Sequence, residues 1–377
     1  MWMVLALLGC EAMAEAPVPI RVGVILPLSG PMATFGKSAQ QGMDTYSVRH
    51  QMRVAGHPLA LDVRDSQGDA PASATAAQTL VDAGAVALLG EIASSNTLAI
   101  ARLSQTQGIP LLSPTSTNPT ITTVGDFVFR ICVADPSQGD VMAGVAASQL
   151  KLRRVGILED TQSSYSHALT EHFQTRFRAA QGQTWRGEYQ SGDVYFEQPL
   201  RAILRHHPQA LYLPGYYTDV ALIMEQARKL GFRGQFLGGD GWDSAGLLQR
   251  GEAPVGGLFS NHFVYDDPQS RAFVNDFHTI SATPPDAIAA LYHDAMTVLV
   301  AALEQVAAAD PDHFLDDPPA KIRGALRTAL AATHDLPVTT GRFAFDADRN
   351  AVRPMVIVTV RRTGVPFGWF QSWPPGP

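Results

Sequence analysis

Short apolar runs alternate with amphipathic stretches of helical length from residue 20 to residue 281, and the alternation starts afresh halfway along. The strand-like runs are 21–26, 59–63, 86–89, 110–112 and 128–131, then 154–158, 184–189, 210–213, 235–237 and 257–261. Helical spacing fills the intervals at 37–50, 72–82, 96–107, 138–150, 166–180, 197–206, 218–230 and 268–281. Repeated βα units of this kind predict parallel sheets with helices on both faces. Arg154-Val-Gly-Ile-Leu-Glu-Asp160 reopens the chain much as Arg21-Val-Gly-Val-Ile-Leu-Pro27 began it, about 130 residues later. With 377 residues available, that restart predicts two α/β lobes, each burying its own core. Two longer helical stretches, 286–308 and 318–331, follow, and then two β-rich runs, 340–345 and 352–360, flank a turn at Asp346-Ala-Asp-Arg-Asn350.

Composition excludes several classes. The formal charge of −7, without a basic stripe, argues against nucleic acid as a partner. Cys10 and Cys132 are the two cysteines, too few for a disulfide framework or a cysteine metal site. There is no Gly-x-Ser-x-Gly elbow, no Gly-x-Gly-x-x-Gly, no phosphate-binding Gly-x-x-x-x-Gly-Lys and no His-Glu-x-x-His. The Asp346–Asn350 run imitates half a calcium loop, but Ala351 and Ile357 stand where that loop needs glycine and glutamate, so it reads as a hairpin turn. His206-His207 reads as a helix end before Pro208. No metal site and no cofactor are expected.

Two hydroxyl-rich loops give the first functional signal. Val86-Ala-Leu-Leu-Gly90 breaks into Glu91-Ile-Ala-Ser94-Ser95-Asn96-Thr97, and Ile109-Pro-Leu-Leu112 breaks into Ser113-Pro-Thr115-Ser116-Thr117-Asn118. Gly108 ends the helical stretch between them. Loops after the carboxyl ends of neighbouring strands share one crevice, and a helix start there attracts an anion. Hydroxyls and amides with no base, thiol or metal ligand beside them suit holding a carboxylate, although each residue alone could be a cap or turn former.

The second half offers a complementary set. Gly239-Asp240-Gly241-Trp242 puts a carboxylate between glycines after a strand, where it suits an ammonium group; a plain Asp-Gly turn is the alternative. Tyr165 and Tyr216 each follow a strand, and with Phe35 they form an aromatic set suited to a small, partly apolar ligand. An anion site and an acidic residue together call for a zwitterion.

In order along the chain, Pro27-Leu-Ser-Gly-Pro31 with Phe35-Gly36, Gly42-Met-Asp44, Asp65-Ser-Gln-Gly-Asp69, Gly90-Glu-Ile-Ala-Ser-Ser-Asn-Thr97, Ile109-Pro-Leu-Leu-Ser-Pro114, Phe129-Arg130, Gln226-Ala-Arg-Lys-Leu-Gly231 and Gly239-Asp-Gly-Trp242 resemble the leucine/isoleucine/valine-binding group of type I periplasmic solute-binding proteins of ABC transporters. The resemblance implies two Rossmann-like lobes joined by a three-crossover hinge, with crossings near residues 137, 263 and 343. Lobe 1 would then hold residues 17–137 and 263–342, and lobe 2 residues 138–262 and 343–377. It implies that Ala93, Ser94, Thr115 and Thr117 hold an amino acid's carboxylate, and that Asp240, Tyr165 and Tyr216 hold its ammonium. The sequence departs from the group at Phe35, often tyrosine; after Tyr165, where a glycine is common; and at Asp240, shorter than glutamate.

The function implied is ligand delivery, without catalysis, to membrane permease subunits by a monomer that closes around an aliphatic or branched-chain L-amino acid. A sensory module of the same fold, acting through a protein partner, is the rival expectation. The apolar start ending Leu7-Leu-Gly-Cys10 is too short to span a bilayer and resembles a lipoprotein box, with Cys10 lipidated at the cell surface or in the periplasm. Cleavage after Ala14 or Ala16 as an ordinary signal peptide is the alternative, and both export the chain.

Overall fold

The computed structural model describes residues 17–311, 314–315, 318–362 and 364–373. Cys10 and the rest of the expected export segment lie outside them. The first lobe opens with β1 (Ile20–Leu26), α1 (Ala33–Arg49), β2 (Arg53–Val54), β3 (His57–Asp65), α2 (Ala70–Asp82), β4 (Ala87–Gly90), α3 (Ser94–Gln107), β5 (Leu111–Ser113), α4 (Thr120–Thr123) and β6 (Val128–Arg130). The second follows with α5 (Asp135–Gly144), β7 (Arg154–Asp160), α6 (Ser164–Ala179), β8 (Gln183–Tyr189), α7 (Glu197–Leu204), β9 (Ala210–Leu213), α8 (Tyr217–Lys229), β10 (Gln235–Gly238) and β11 (Leu258–Asn261). The chain then returns through α9 (Arg271–Ile280), α10 (Ala287–Ala309), α11 (Pro319–Ala331), β12 (Leu336–Val338), β13 (Gly341–Phe345) and β14 (Ala351–Val352), and finishes in β15 (Met355–Val360) and β16 (Phe367–Trp373).

One sheet runs β2-β3-β1-β4-β5-β6 and the other β16-β15-β11-β10-β9-β7-β8. All pairs between β1 and β6 are parallel apart from the short β2–β3 pair, and the second sheet is parallel from β8 to β11 with β15 and β16 antiparallel at its edge. Burial on both faces explains the near-continuous apolar strands, such as Ala-Leu-Leu-Gly in β4 and Ala-Leu-Tyr-Leu in β9, buried at every residue. Strand order reverses between β1 and β4 in one sheet and between β7 and β9 in the other. A crevice opens at such a switch point, outside the carboxyl ends of the strands.

Helix α10 is apolar and long enough by composition to cross a membrane, but most of it is buried here against α1 and α11. It packs tightly on α1 at Gly42, where a Cβ would lie 2.2 Å from the Ala289 carbonyl oxygen. No side chain fits there.

The chain passes between lobes after β6, after β11 and before β15. The third passage falls later than the sequence reading at 343. The β13–β14 hairpin belongs with the first lobe: Phe345 packs on Phe129 at 5.2 Å, Arg130 donates from Nε to Asn350 Oδ1 at 3.0 Å, and Arg349 Nε donates to the Val128 carbonyl. The crossing is therefore at Arg353–Pro354. The turn at Asp346–Asn350 is that hairpin's connection, its carboxylate accepting the Asp348 and Asn350 amides. Edge strand β16 extends through Trp373.

Candidate functional site

A small cavity of about 30 Å³ lies at both switch points, between the lobes. Its first-lobe wall is built from the two hydroxyl loops: Ile92 and Ser94 follow β4, and Thr115 and Thr117 follow β5. Bonds within the lobe hold these loops. Ser116 Oγ donates to the Glu91 and Ile92 carbonyls at 3.0 and 2.9 Å and lies 2.6 Å from Thr97 Oγ1. The Asn118 amide donates to Ser94 Oγ at 3.3 Å, and Arg130 Nη1 donates to the Asn118 carbonyl at 2.6 Å. Below them the fully buried Glu91 carboxyl accepts Ser66 Oγ and the Ala93 amide, and burial pushes its pKa up.

That last bond corrects one expectation. Ala93 does not line the cavity, and its N–H is already spent on Glu91, so it offers nothing to a ligand. The backbone donor that faces the cavity is Ser94, whose N–H meets the Tyr216 hydroxyl from the other lobe at 3.4 Å.

The second-lobe wall is a charged and aromatic network. Asp240, at the end of the β10 loop, accepts the Tyr165 hydroxyl on Oδ1 at 2.9 Å, and its Oδ2 lies 2.9 Å from His262 Nε2. Tyr165 accepts the Gly241 amide at 2.9 Å and stacks on Tyr216 with centroids 5.0 Å apart. Burial holds both phenols well above their usual range, so they act as neutral hydroxyls. The glycines around Asp240 make room for Tyr165 rather than for the ligand's backbone approach alone: a Cβ at Gly239 would lie 2.6 Å from the Tyr165 hydroxyl. Trp242 points into the core, donating Nε1–H to the Leu213 carbonyl at 2.9 Å.

Two features escaped the sequence reading. His262, at the end of β11, lines the cavity and is almost wholly buried. The apolar end of the cavity is made by Phe35 with Ala287, Ile288 and Leu291, the first turns of α10. Behind the wall, Asp135 is fully buried, and burial with Asp240 nearby pushes its carboxyl well up. The lobes are closed on the site: Asn118 Nδ2 donates to the Ser164 carbonyl at 2.7 Å, Ser95 Oγ lies 3.2 Å from Ser164 Oγ, and Tyr217 donates to the Pro31 carbonyl at 3.0 Å.

The structure thus brings Phe35, Ser94, Thr115, Thr117, Tyr165, Tyr216 and Asp240 to one cavity and leaves Ala93 outside it. Hydroxyls and an amide on one side, a carboxylate on the other and an apolar end between them define a two-lobed receptor for a small solute.

The comparisons agree with that class. The periplasmic binding protein family matches residues 19–365, and the chain belongs to that family of solute-binding proteins. A leucine-, isoleucine-, valine-, threonine- and alanine-binding protein of Pseudomonas aeruginosa is 25% identical over 347 residues, covering 91% of this chain and 90% of its own. A leucine-binding protein of Thermotoga maritima superposes with a TM-score of 0.87 at 31% identity, covering 94% of this chain and 99% of its own. A Rhodopseudomonas palustris solute-binding protein in complex with benzoate shares the fold at TM-score 0.84 and 21% identity, covering 95% of this chain and 97% of its own.

Proposed function

We propose that this chain is the extracytoplasmic receptor of an ABC transporter and binds an aliphatic or branched-chain L-amino acid by closure of its lobes. The observation that carries the reading is the opposition of Ser94, Thr115 and Thr117 to Asp240 across one small cavity with an apolar end. The α-carboxylate sits on the first-lobe hydroxyls and the Ser94 amide, at the start of α3, where the helix dipole favours an anion. The ammonium sits on Asp240, and the side chain lies against Phe35, Ile288 and Leu291. The Pseudomonas and Thermotoga relatives, named for branched-chain amino acids, support this ligand class.

The mechanism is closure: the first lobe holds the carboxylate, and the second swings in with Asp240, Tyr165 and Tyr216. The Ser94 amide exchanges the Tyr216 hydroxyl for the ligand's oxygen. No step needs a catalyst, and burial pushes the Cys132 thiol up, away from the thiolate a nucleophile needs. The receptor works as a monomer, exported and held at the membrane by lipid on Cys10, and hands its ligand to permease subunits.

Thermal denaturation with a panel of amino acids, amides and simple carboxylates tests the reading. A true ligand at a hundredfold excess over Kd stabilises by about 2.7 kcal/mol. Leucine, isoleucine or valine should shift the transition. A shift confined to ligands without an ammonium group contradicts the role given to Asp240.

A further inference from the structure

We propose that His262 is a specificity-determining residue that sets the charge Asp240 presents, so that the receptor takes a zwitterion with a neutral imidazole and turns it away when the imidazole is protonated. The proposal rests on the amino-acid reading above and deepens it. Asp240 Oδ2 and His262 Nε2 are 2.9 Å apart, and the side chains are 12% and 1% exposed, so the pair is nearly dry. Water therefore does little to screen one from the other. Among the described residues, no lysine or arginine lines the cavity, which leaves His262 as the one side chain there able to set a positive charge against Asp240 in competition with a ligand's ammonium.

The proton count follows from the geometry. A neutral imidazole donating Nε2–H leaves Asp240 anionic, with lone pairs free on both oxygens beyond the bonds to His262 and Tyr165. Its Nδ1 is buried without a partner, which suits a bare lone pair better than an N–H. A protonated imidazole cancels the Asp240 charge and faces the ammonium with a like charge. Leucine binding to that form must release one proton from His262 to solvent. A carboxylate lacking the amine has no such requirement, because it leaves the imidazolium–carboxylate pair intact.

The other ionisable groups around the pair are Cys132 after β6, Asp135 on α5, Asp243 after β10, Asp286 before α10, and the phenols Tyr165, Tyr212 and Tyr216. Asp243 exchanges its proton near neutrality, since burial and the adjacent Asp286 push it up to about 7, so it needs its own control. Imidazoles change charge between about pH 5 and 8.

The test is calorimetric titration of the full receptor with L-leucine and with 4-methylpentanoate, its amine-free counterpart, from pH 5 to 8.5. Leucine affinity should fall toward about tenfold per unit on the acid side of the imidazole transition, while the carboxylate's does not. Titrations in two buffers of different ionisation enthalpy should count up to one proton released per leucine on the acid side of the profile, a readout that needs no variant. His262→Gln should abolish both effects over that window, and Asp243→Asn should retain them. A flat leucine profile overturns the proposal, and so does a slope that survives in His262→Gln or disappears in Asp243→Asn. If leucine and its relatives bind at no pH, the amino-acid reading fails first and takes this one with it.

Discussion

The two walls of the cavity are built on different principles. The first-lobe wall is neutral, and bonds inside its own lobe fix it: Ser116 to the Glu91 and Ile92 carbonyls, the Asn118 amide to Ser94, Arg130 to the Asn118 carbonyl. The second-lobe wall is charged, and groups from distant segments meet at Asp240: Tyr165 on α6, the Gly241 amide and His262 at a crossover. One wall is a locally fixed set of hydroxyls and an amide, and the other is a charge network drawn from distant segments. On the proposed reading, the difference teaches that affinity for the carboxylate is set locally, whereas discrimination by the amine end is set by the whole second lobe and by pH.

Removing charge from the second wall should have the largest effect. Asp240→Asn should weaken leucine by about 2–4 kcal/mol, 30-fold or more, measured calorimetrically at pH 8. Equal binding would remove the charge from the account. The stability of this wall should also depend on pH. Because the folded-state pKa of Asp243 is raised above its ordinary value to about 7, its contribution is full below about pH 4 and is lost as pH rises through 7. Denaturant unfolding should therefore show Asp243→Asn gaining on wild type between pH 5 and 8, by roughly 1–3 kcal/mol, and a constant gap would contradict the shift.

Changes on the first wall should be smaller and independent of pH. Thr117→Val should cost leucine about 1–2 kcal/mol with no change in slope between pH 6 and 8. Breaking the Asn118–Ser164 bond with Asn118→Ala should weaken binding by about 1 kcal/mol through loss of closure, visible as a more open particle in small-angle scattering. Ala93→Gly should leave affinity unchanged within about 0.5 kcal/mol, because its side chain does not line the cavity. A tenfold loss there would restore Ala93 to the site.

This contrast also explains what was legible in the sequence. Ser94, Thr115, Thr117, Tyr216 and Asp240 each follow a strand directly, so the rule that ligands gather at strand ends finds them from local pattern alone. His262 obeys the same rule, standing one residue beyond β11, but a lone histidine at an interlobe crossover carries no pattern of its own. Ile288 and Leu291 were invisible for another reason: an apolar residue on a buried helix looks the same whether it faces core or ligand. The expectation for Ala93 failed because the acceptor that takes its amide, Glu91, sits two residues earlier with no spacing signature. The third crossover was displaced because β12, β13 and β14 form a small sheet of their own, and hydrophobic pattern does not say which lobe a separate sheet joins.

The most direct measurement removes one charge at a time from the ligand instead of the protein. Calorimetry at pH 8 with L-leucine, 4-methylpentanoate and 3-methylbutylamine reads each wall separately. Opposed walls predict that leucine binds at least about 100-fold more tightly than either trimmed analogue, a gap of about 2.7 kcal/mol. Equal binding of leucine and 4-methylpentanoate would contradict the claim that Asp240 faces an ammonium group.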